Sequence, residues 1–359
     1  NGFVQGMSPV SMEDCVTDTD TASPAQSTET DAPPARLIAE IEALGQRMAL
    51  VRDHIGRVIF GQKQVVDETL ITLLAGGHVL LIGVPGLGKT RLVETLGTVM
   101  GLHDKRVQFT PDLMPADILG SEILDEGDGG GKRSFRFIEG PVFCQLLMAD
   151  EINRASPRTQ SALLQAMQEH RVSVAGQYHP LPHPFHVLAT QNPLEQEGTY
   201  PLPEAQLDRF LLQVDVGYPS EDAEREVLLA TTGVSEVTPE QVLSAKDLIA
   251  AQTLVRQVPV GDSVVQAILN LVRSGRPEES ALPEIRESIA WGPGPRASQA
   301  LMLATRARAL LDGRYAPSID DVLALAKPVL RHRMALNFAA RADGVTLDEV
   351  IDHLCAPLA

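Results

Sequence analysis

The chain has 359 residues, of which 44% are hydrophobic, 21% charged and 4% aromatic, and its formal net charge is −17. This length predicts one large domain and a smaller one, and the hydrophobic content excludes a chain that is disordered throughout. The acidic balance and the scarcity of aromatic rings disfavour broad nucleic-acid binding, because phosphate backbones are repelled and bases find few stacking partners.

The N-terminal segment differs in composition from the rest. Residues 1–34 are rich in Ser, Thr, Asp, Pro and Ala and carry few large apolar side chains. Such a segment cannot bury enough apolar surface to offset chain entropy, so we predict a disordered acidic tail, with the natural start at Met7 or Met12. Amphipathic patterns then predict one helix over residues 37–58 and a second over residues 66–74.

The next segments alternate between strands and helices. A short apolar strand over residues 78–82 ends in a glycine-rich turn, and apolar residues at positions 92, 93, 96 and 99 predict a helix after it. Further strands are predicted at residues 106–109, 144–149, 186–190 and 210–216, and helical stretches such as 158–169 separate most of them. The fold class is therefore predicted as α/β, with a parallel sheet between helices.

The pattern changes at Pro219. Beyond it strand signals vanish, and apolar residues recur at helical spacing in residues 221–230, 262–273, 297–311 and 320–330. We predict an α/β core over residues 35–218 and a separate all-helical domain over residues 219–359.

Cysteine usage and hydropathy indicate the compartment. Cys15, Cys144 and Cys355 are odd in number and scattered, which favours a reducing compartment over a disulfide framework. The most apolar run, residues 70–84, is interrupted and too short to span a bilayer, and no basic segment precedes an apolar stretch near residue 1. These features predict a soluble cytoplasmic protein without direct membrane insertion.

A glycine-rich segment joins the first predicted strand to its helix. It matches G-x-x-x-x-G-K-[ST] in full, as Gly83-Val84-Pro85-Gly86-Leu87-Gly88-Lys89-Thr90. Glycines let backbone N–H groups converge on a phosphate, and the helix adds the positive end of its dipole. Lys89 is expected to neutralise the β- and γ-phosphates of ATP, Thr90 to bind Mg²⁺, and Arg91 to extend the binding segment. The strand–loop–helix context makes a chance match improbable.

Two carboxylates follow another apolar strand about 60 residues later. Asp150 and Glu151 come directly after residues 146–149, at the strand end where α/β proteins bind ligands. Asp150 is expected to hold Mg²⁺ through water, and Glu151 to polarise the water that attacks the γ-phosphate. A strand-end turn would explain such a pair on its own, but its place after the phosphate loop favours a Walker B motif.

Three longer segments resemble the MoxR group of AAA+ ATPases. Residues 150–155, DEINRA, resemble its extended Walker B motif, and residues 189–193, ATQNP, resemble its sensor 1 strand. Residues 197–210, EGTYPLPEAQLDRF, resemble the most distinctive stretch of the group. The resemblance covers residues 59–354, nearly all of the chain except the tail.

The resemblance implies an αβα P-loop NTPase core with a helical lid, assembled as a homo-oligomeric ring that is usually a hexamer. It also implies two β-hairpin inserts, near residues 120–141 and 171–184, and both ranges independently show strand-like patterns. The first hairpin is expected to have a glycine-rich tip at residues 127–131.

The resemblance assigns roles to three further residues. Asn192 would orient the attacking water, although a simple Asn-Pro turn also explains it. Arg209 would be an arginine finger acting on a neighbouring subunit, although an isolated arginine is usually a solvated surface residue. Arg296 would be the sensor 2 arginine and contact the γ-phosphate in its own subunit, with Gly294 departing from the small hydroxyl residue usual before it.

Two other clusters are interpreted as structural. His179, His183 and His186 alternate with prolines, which exclude the helical spacing of metal ligands. The basic run at residues 331–333, Arg-His-Arg, is interpreted as a solvated helix end.

The favoured hypothesis is a Mg²⁺-dependent ATPase ring that remodels or activates a partner protein. The resemblance implies a partner with a von Willebrand A domain, in some relatives for metalloenzyme maturation. The alternatives are the motor subunit of a metal chelatase, a non-catalytic nucleotide-dependent scaffold, and a DNA-unwinding or loading role, which the acidity disfavours.

Overall fold

The computed structural model describes residues 35–125, 134–195, 198–233 and 237–358. The predicted tail over residues 1–34 and the predicted hairpin tip at residues 127–131 lie outside the described residues.

The part of the chain before Pro219 contains helices and strands in alternation. Its helices are α1 (Ala35–Gly56), α2 (Lys63–Leu74), α3 (Lys89–Met100), α4 (Pro115–Leu119), α5 (Pro157–Glu169) and α6 (Glu204–Leu207), with a 3₁₀ turn η1 (Ile152–Arg154). Its strands are β1 (Val79–Ile82), β2 (Asp104–Gln108), β3 (Gly120–Asp125), β4 (Ser134–Glu139), β5 (Leu146–Asp150), β6 (Arg171–Val174), β7 (Gln177–Pro180), β8 (His186–Gln191) and β9 (Leu212–Asp215).

The part after Pro219 is helical, as predicted. Its elements are α7 (Glu221–Thr232), α8 (Ala245–Gln257), α9 (Asp262–Ser274), α10 (Pro283–Ser288), β10 (Ile289–Trp291), α11 (Pro295–Leu311), α12 (Ile319–Leu330), η2 (Arg331–Arg333), β11 (Ala335–Leu336), α13 (Phe338–Ala342), α14 (Leu347–Cys355) and η3 (Ala356–Leu358). The small antiparallel ribbon of β10 and β11 was not predicted, and it amends the expectation of an all-helical domain. Strands of two or three residues are too short to show an alternating pattern.

Five strands form the predicted parallel sheet, in the order β2-β5-β8-β1-β9. Every residue of β5 is buried, and so are the first five of β8. Continuous apolar runs of this kind are typical of strands covered on both faces. Because all five strands are parallel, the ends of β1, β5 and β8 meet at one edge, which is where the nucleotide motifs lie.

Two apolar cores lie on opposite faces of the sheet. On one face, β-strand side chains such as Leu81 and Met148 pack with α1, α2, α3 and the helices after Pro219. On the other face, Leu147 and Ala189 pack with α4, α5 and the hairpins. The first core runs continuously from the sheet into the C-terminal helices, so the boundary at Pro219 stays a prediction.

Both ranges in which hairpins are expected contain a pair of antiparallel strands, named here the first and the second hairpin. Strands β3 and β4 pair from Gly120 opposite Glu139 onwards, and β6 pairs with β7. The hairpins contact each other through Phe137 on β4 and His179 on β7, whose rings stack at a centroid distance of 3.9 Å and an angle of 16°.

Three buried histidines lie near the start of the sheet: His78, His186 and His332. The ring of His78 accepts from the Val187 N–H at 3.0 Å, and His186 Nδ1 lies 2.8 Å from the Gly77 carbonyl. Burial lowers the pKa of His78 to about 3 and that of His186 to about 4. It also lowers the pKa of His332 well below its ordinary value. All three side chains are therefore neutral at pH 7.

Candidate nucleotide-binding site

The motif residues meet in a cavity of about 490 Å³ at the carboxyl ends of the parallel strands. Its lining includes Pro85, Gly86, Leu87, Gly88, Lys89, Thr90, Arg91, Arg106, Gln108, Asp150, Glu151, Thr190 and Asn192. The predicted phosphate loop, both Walker B carboxylates and Asn192 are thus brought together. Arg209 and Arg296 are not part of this lining.

The glycines of the loop are required by its conformation. Gly86 and Gly88 have φ angles of 86° and 75°, in the region that glycine adopts without strain. Gly83 is required for space, since a Cβ there would lie 2.6 Å from the Val216 carbonyl oxygen just after β9. Gly88 also precedes α3, so the loop amides and the helix N-terminus face the cavity, as an anion site requires.

Lys89 is held over the loop by its backbone. Its ammonium donates to the Gly83 carbonyl at 2.5 Å and to the Val84 carbonyl at 3.0 Å. Burial lowers the pKa of Lys89, and the charges of Asp150 and Glu151 oppose this shift. Lys89 is thus a cation on the same cavity as the two carboxylates.

Asp150 is fixed by two neighbouring strands. Thr190 on β8 donates its hydroxyl to Asp150 Oδ1 at 2.6 Å, and the hydroxyl oxygen of Thr190 accepts from the Glu151 N–H at 2.9 Å. Arg106 on β2 donates to Asp150 Oδ2 at 2.5 Å. Thr190 therefore ties the Walker B aspartate to the backbone of the following glutamate.

Glu151 has an unusual backbone for a non-glycine residue, with φ at 53°. Such conformations cost about 1–3 kcal/mol and are concentrated at functional sites. Its Oε2 accepts from Gln108 Nε2 at 2.7 Å and from Arg154 Nη1 at 2.9 Å. One oxygen of this carboxylate is therefore engaged by two polar groups of its own chain.

Asn192 has features of both interpretations of its motif, a local Asn-Pro turn and a residue of the nucleotide site. Its Oδ1 accepts from the Leu194 N–H at 3.1 Å, which is a local turn, and the residue also lines the cavity. Because the turn uses the oxygen, the NH₂ group is what the side chain offers to a bound molecule.

Three cavity residues were missed as functional candidates: Arg106, Gln108 and Thr190. Arg106 and Gln108 are two apart on β2, so they share a face of the strand beside β5. Polar residues at i and i+2 in a strand were the available signal. Thr190 lay within the quoted sensor 1 segment, but its hydroxyl bonds depend on the neighbouring strand and are invisible in sequence.

A smaller apolar cavity of about 200 Å³ adjoins the phosphate loop. It shares Gly86, Leu87, Gly88 and Arg91 with the larger cavity, and Val58, Ile59, Phe60, Gln62, Pro219, Val227 and Thr231 complete its lining. Gln62 Nε2 donates to the Leu87 carbonyl at 3.0 Å, which joins the two sides. An apolar slot beside a phosphate loop suits the flat base of a nucleotide.

Arg209 lies at the opposite end of the sheet from the phosphate loop. The Leu211 N–H donates to the His78 carbonyl just before β1, whereas Gly83 follows the end of β1. Five extended residues separate the level of His78 from that of Gly83 along β1, a distance of about 16 Å. Arg209 is half-buried, so it is not sealed within the fold, and it does not line the cavity of its own chain.

Arg296 lies at the same end. Its Nη1 is 3.5 Å from Asp208 Oδ2, and its side chain is about half exposed. Arg296 does not line the cavity of its own chain, and its expected contact with a γ-phosphate stays a prediction. It stands at the start of α11 after Gly294, which makes no side-chain cap, as expected from the missing hydroxyl.

The donor set suits a magnesium nucleotide. Thr90 and Asp150 offer hydroxyl and carboxylate oxygens, the ligands Mg²⁺ prefers, and Lys89 with the loop amides offers charge and donors to phosphates. Among the described residues no group of three or more His, Cys, Asp or Glu side chains is placed to hold a metal. A Mg²⁺ bound partly by substrate phosphates does not need one.

Comparison with known proteins agrees with this geometry. Residues 78–212 match the ATPase family associated with various cellular activities (AAA), and residues 284–354 match the AAA lid domain. Chaperone MoxR1 of Mycobacterium tuberculosis is 42% identical over 342 residues, covering 94% of this chain and 87% of its own. The chain belongs to the MoxR-type AAA+ ATPases.

Other relatives of this MoxR-type chain span similar lengths. Protein MoxR of Paracoccus denitrificans is 33% identical, covering 78% of this chain and 86% of its own. The crystal structure of a proposed ATPase from Cytophaga hutchinsonii superposes with a TM-score of 0.82 at 37% identity, covering 88% of this chain and 95% of that one. Within the described part of this MoxR-type chain, no helix is both long and apolar enough to cross a bilayer.

Proposed function

We propose that this MoxR-type ATPase hydrolyses MgATP at the interface between adjacent copies in a homo-oligomeric ring, and that it uses the cycle to remodel a partner protein. The observation that carries this proposal is the separation of Arg209 from the cavity of its own chain. A half-buried arginine at the end of the sheet that is about 16 Å from the phosphate loop, measured along β1, has its natural target in a neighbouring copy.

Within one subunit, the cavity supports binding and activation of water. Lys89, Thr90 and the loop amides, extended by Arg91, would hold the phosphates, and the apolar slot beside them would take the base. When bound, Mg²⁺ would offset the charge of the phosphates. Glu151 is placed to accept a proton from water, and the Asn192 NH₂ group to orient that water. Asp150 and Thr90 would hold the metal.

Between subunits, two arginines would complete the site. Arg209 follows Asp208 in the chain, and Arg296 faces the Asp208 carboxylate at 3.5 Å, so both lie at the end of the sheet that is away from the loop. Guanidinium groups stabilise the charge that spreads over a transferring phosphoryl group. We therefore propose that both arginines act in trans, which replaces the earlier expectation for Arg296.

The partner is proposed to be a protein, with a von Willebrand A domain as the leading class. One relative bears the name of a chaperone. The hairpins also expose apolar side chains, such as Phe135 with 72% of its surface exposed and Tyr178 with 61%, where a protein surface can bind. A ring of six copies and a cytoplasmic location belong to the same proposal.

The trans arrangement is tested by varying protein concentration. Specific ATPase activity should rise with concentration as subunits assemble, and Arg209→Ala should bind ATP normally while losing about 10³–10⁵ in turnover. Arg341→Ala, an exposed arginine on α13, is the matched control and should keep its activity. The proposal would be refuted by specific ATPase activity that does not depend on protein concentration, or by near-normal turnover in Arg209→Ala.

The partner is tested separately. Glu151→Gln should bind ATP without hydrolysing it and so hold the partner-bound state. Proteins that co-purify with this variant in ATP, but not with Lys89→Ala, are the partners. A set without any von Willebrand A domain protein would refute that part of the proposal.

A further inference from the structure

The short turn η2 is buried, although its composition predicts a solvated helix end. Arg333 is only 2% exposed and His332 only 4%. Burying a guanidinium removes it from water at a large cost, which an apolar residue at the same place would avoid. A charged residue kept in such a place has its partners in its immediate surroundings.

Most partners of Arg333 are residues around Arg209, although its Nη1 also donates to the Val329 carbonyl at 2.7 Å. Its Nε donates to Asp208 Oδ1 at 2.8 Å, its Nη2 to the Phe210 carbonyl at 2.6 Å, and its Nη1 to the Leu211 carbonyl at 3.1 Å. His332 Nε2 also lies 3.0 Å from the Phe210 carbonyl. The planar fork of one arginine thus holds the residues on both sides of Arg209.

Arg209 itself has no comparable support. Its Nε is buried without a hydrogen-bond partner among the described residues. The backbone from Asp208 to Leu211 therefore sets where the Arg209 side chain begins. A shift of that backbone would shift Arg209 with it.

Asp208 connects the same turn to Arg296. Its Oδ1 accepts from Arg333, and its Oδ2 faces Arg296 Nη1 at 3.5 Å. One carboxylate is thus shared between a fully buried arginine and a half-exposed one. The second proposed trans-acting arginine depends on the same contact.

We propose that Arg333 is a positioning residue for catalysis in the adjacent subunit. By holding residues 208–211 it presents Arg209 and, through Asp208, Arg296 to the neighbour's nucleotide, so that the C-terminal helices of one subunit set the activity of the next. This inference rests on the proposed function at the subunit interface.

The first test separates turnover from binding. Arg333→Gln should lower kcat by about 10²-fold, the typical effect of a small misplacement of a catalytic group, with the KM for ATP unchanged. Arg314→Gln is the matched control: Arg314 also pairs with a buried carboxylate, Asp321, but has no contact with residues 208–211. It should lose stability and keep its kcat.

The deciding test mixes inactive subunits. Lys89→Ala has an inactive nucleotide site and intact arginines, whereas Arg209→Ala has an intact nucleotide site and lacks the trans-acting arginine. Their mixture should regain activity, because some interfaces then pair an intact site with an intact arginine. Arg333→Gln should complement Lys89→Ala in the same way, because its pocket is intact. It should not complement Arg209→Ala, because both then lack a working finger.

The outcomes are distinguishable. If Lys89→Ala and Arg209→Ala fail to complement, the proposed interface itself is wrong. If they complement but Arg333→Gln does not restore activity to Lys89→Ala, Arg333 is merely structural and the inference is overturned. If Arg333→Gln does not fold, Arg333→Lys replaces it: the ammonium keeps a charge opposite Asp208 but loses the fork, and the same complementation pattern is expected.

Discussion

Replacing Thr190 with valine removes one hydroxyl and keeps the shape of a side chain that is only 1% exposed. That hydroxyl donates to Asp150 at 2.6 Å and accepts from the Glu151 N–H at 2.9 Å. The substitution therefore removes a donor from a carboxylate and leaves a part-buried backbone N–H without its protein partner.

The magnitude follows from these two bonds. A hydrogen bond to a charged group contributes about 1.5–3 kcal/mol, and an orphaned buried donor costs about 1–3 kcal/mol. Arg106 still donates to Asp150, so the first loss lies at the low end of its range. We expect the free energy of unfolding to fall by about 2–4 kcal/mol. For a chain of this length this lowers Tm by about 3–6 °C.

The assay is thermal unfolding without nucleotide, followed by ATPase turnover. Thr190→Ser is the control, because it keeps the hydroxyl and loses only a buried methyl group, at about 1 kcal/mol. Turnover should fall in the valine variant, since Asp150 and the backbone of Glu151 are no longer tied together. A valine variant as stable as the serine variant would show that the bridge contributes little, and the reasoning would fail.

Two further predictions concern the loop and the buried histidines. Gly83→Ala should lower the free energy of unfolding by about 1–3 kcal/mol and weaken ATP binding in a nucleotide titration, because the new Cβ would meet the Val216 carbonyl oxygen. The control is Gly217→Ala, where a Cβ meets nothing within 4 Å, and it should change neither quantity. The buried histidines have folded pKa values below the ordinary 6.5, so the unfolded chain binds more protons below that pH, and stability should be lost as pH falls from about 6.5 to 4. Each histidine lowers the free energy of unfolding by about 1.4 kcal/mol per pH unit in this range. Burial raises the pKa of Glu68 to about 7, so between about pH 7 and 4.5 this carboxyl group stabilises the fold as pH falls and offsets the effect of one histidine. Urea unfolding at pH 7, 6 and 5 measures the slope, and a flat profile would contradict it.

Much of the fold could be predicted because its signals are local. The strands β1, β5 and β8 are apolar runs followed by polar motif residues, and parallel strands bring their ends to one edge. The sequence alone therefore indicated that the phosphate loop, Asp150 and Asn192 would meet. The structure confirms the sheet and brings these residues into one cavity.

The interpretation of residues 331–333 was wrong for a physical reason. Charged side chains are solvated unless a partner is available, and the partner of Arg333, Asp208, lies 125 residues away in sequence. The same distance hid the position of Arg296, which pairs with Asp208 instead of approaching its own phosphate loop. Pairings between distant segments leave no periodicity in the sequence.

The stack of Phe137 on His179 has a consequence for how force enters the ATPase core. The first hairpin precedes β5, which ends in Asp150, and the second precedes β8, which leads to Asn192. Since the two rings are stacked, tilting one hairpin away from the other would break this contact, at a cost of about 0.5–1.5 kcal/mol. The stacked rings therefore link the segments that lead into β5 and β8, so that a displacement of one hairpin would be felt by the chain before both strands.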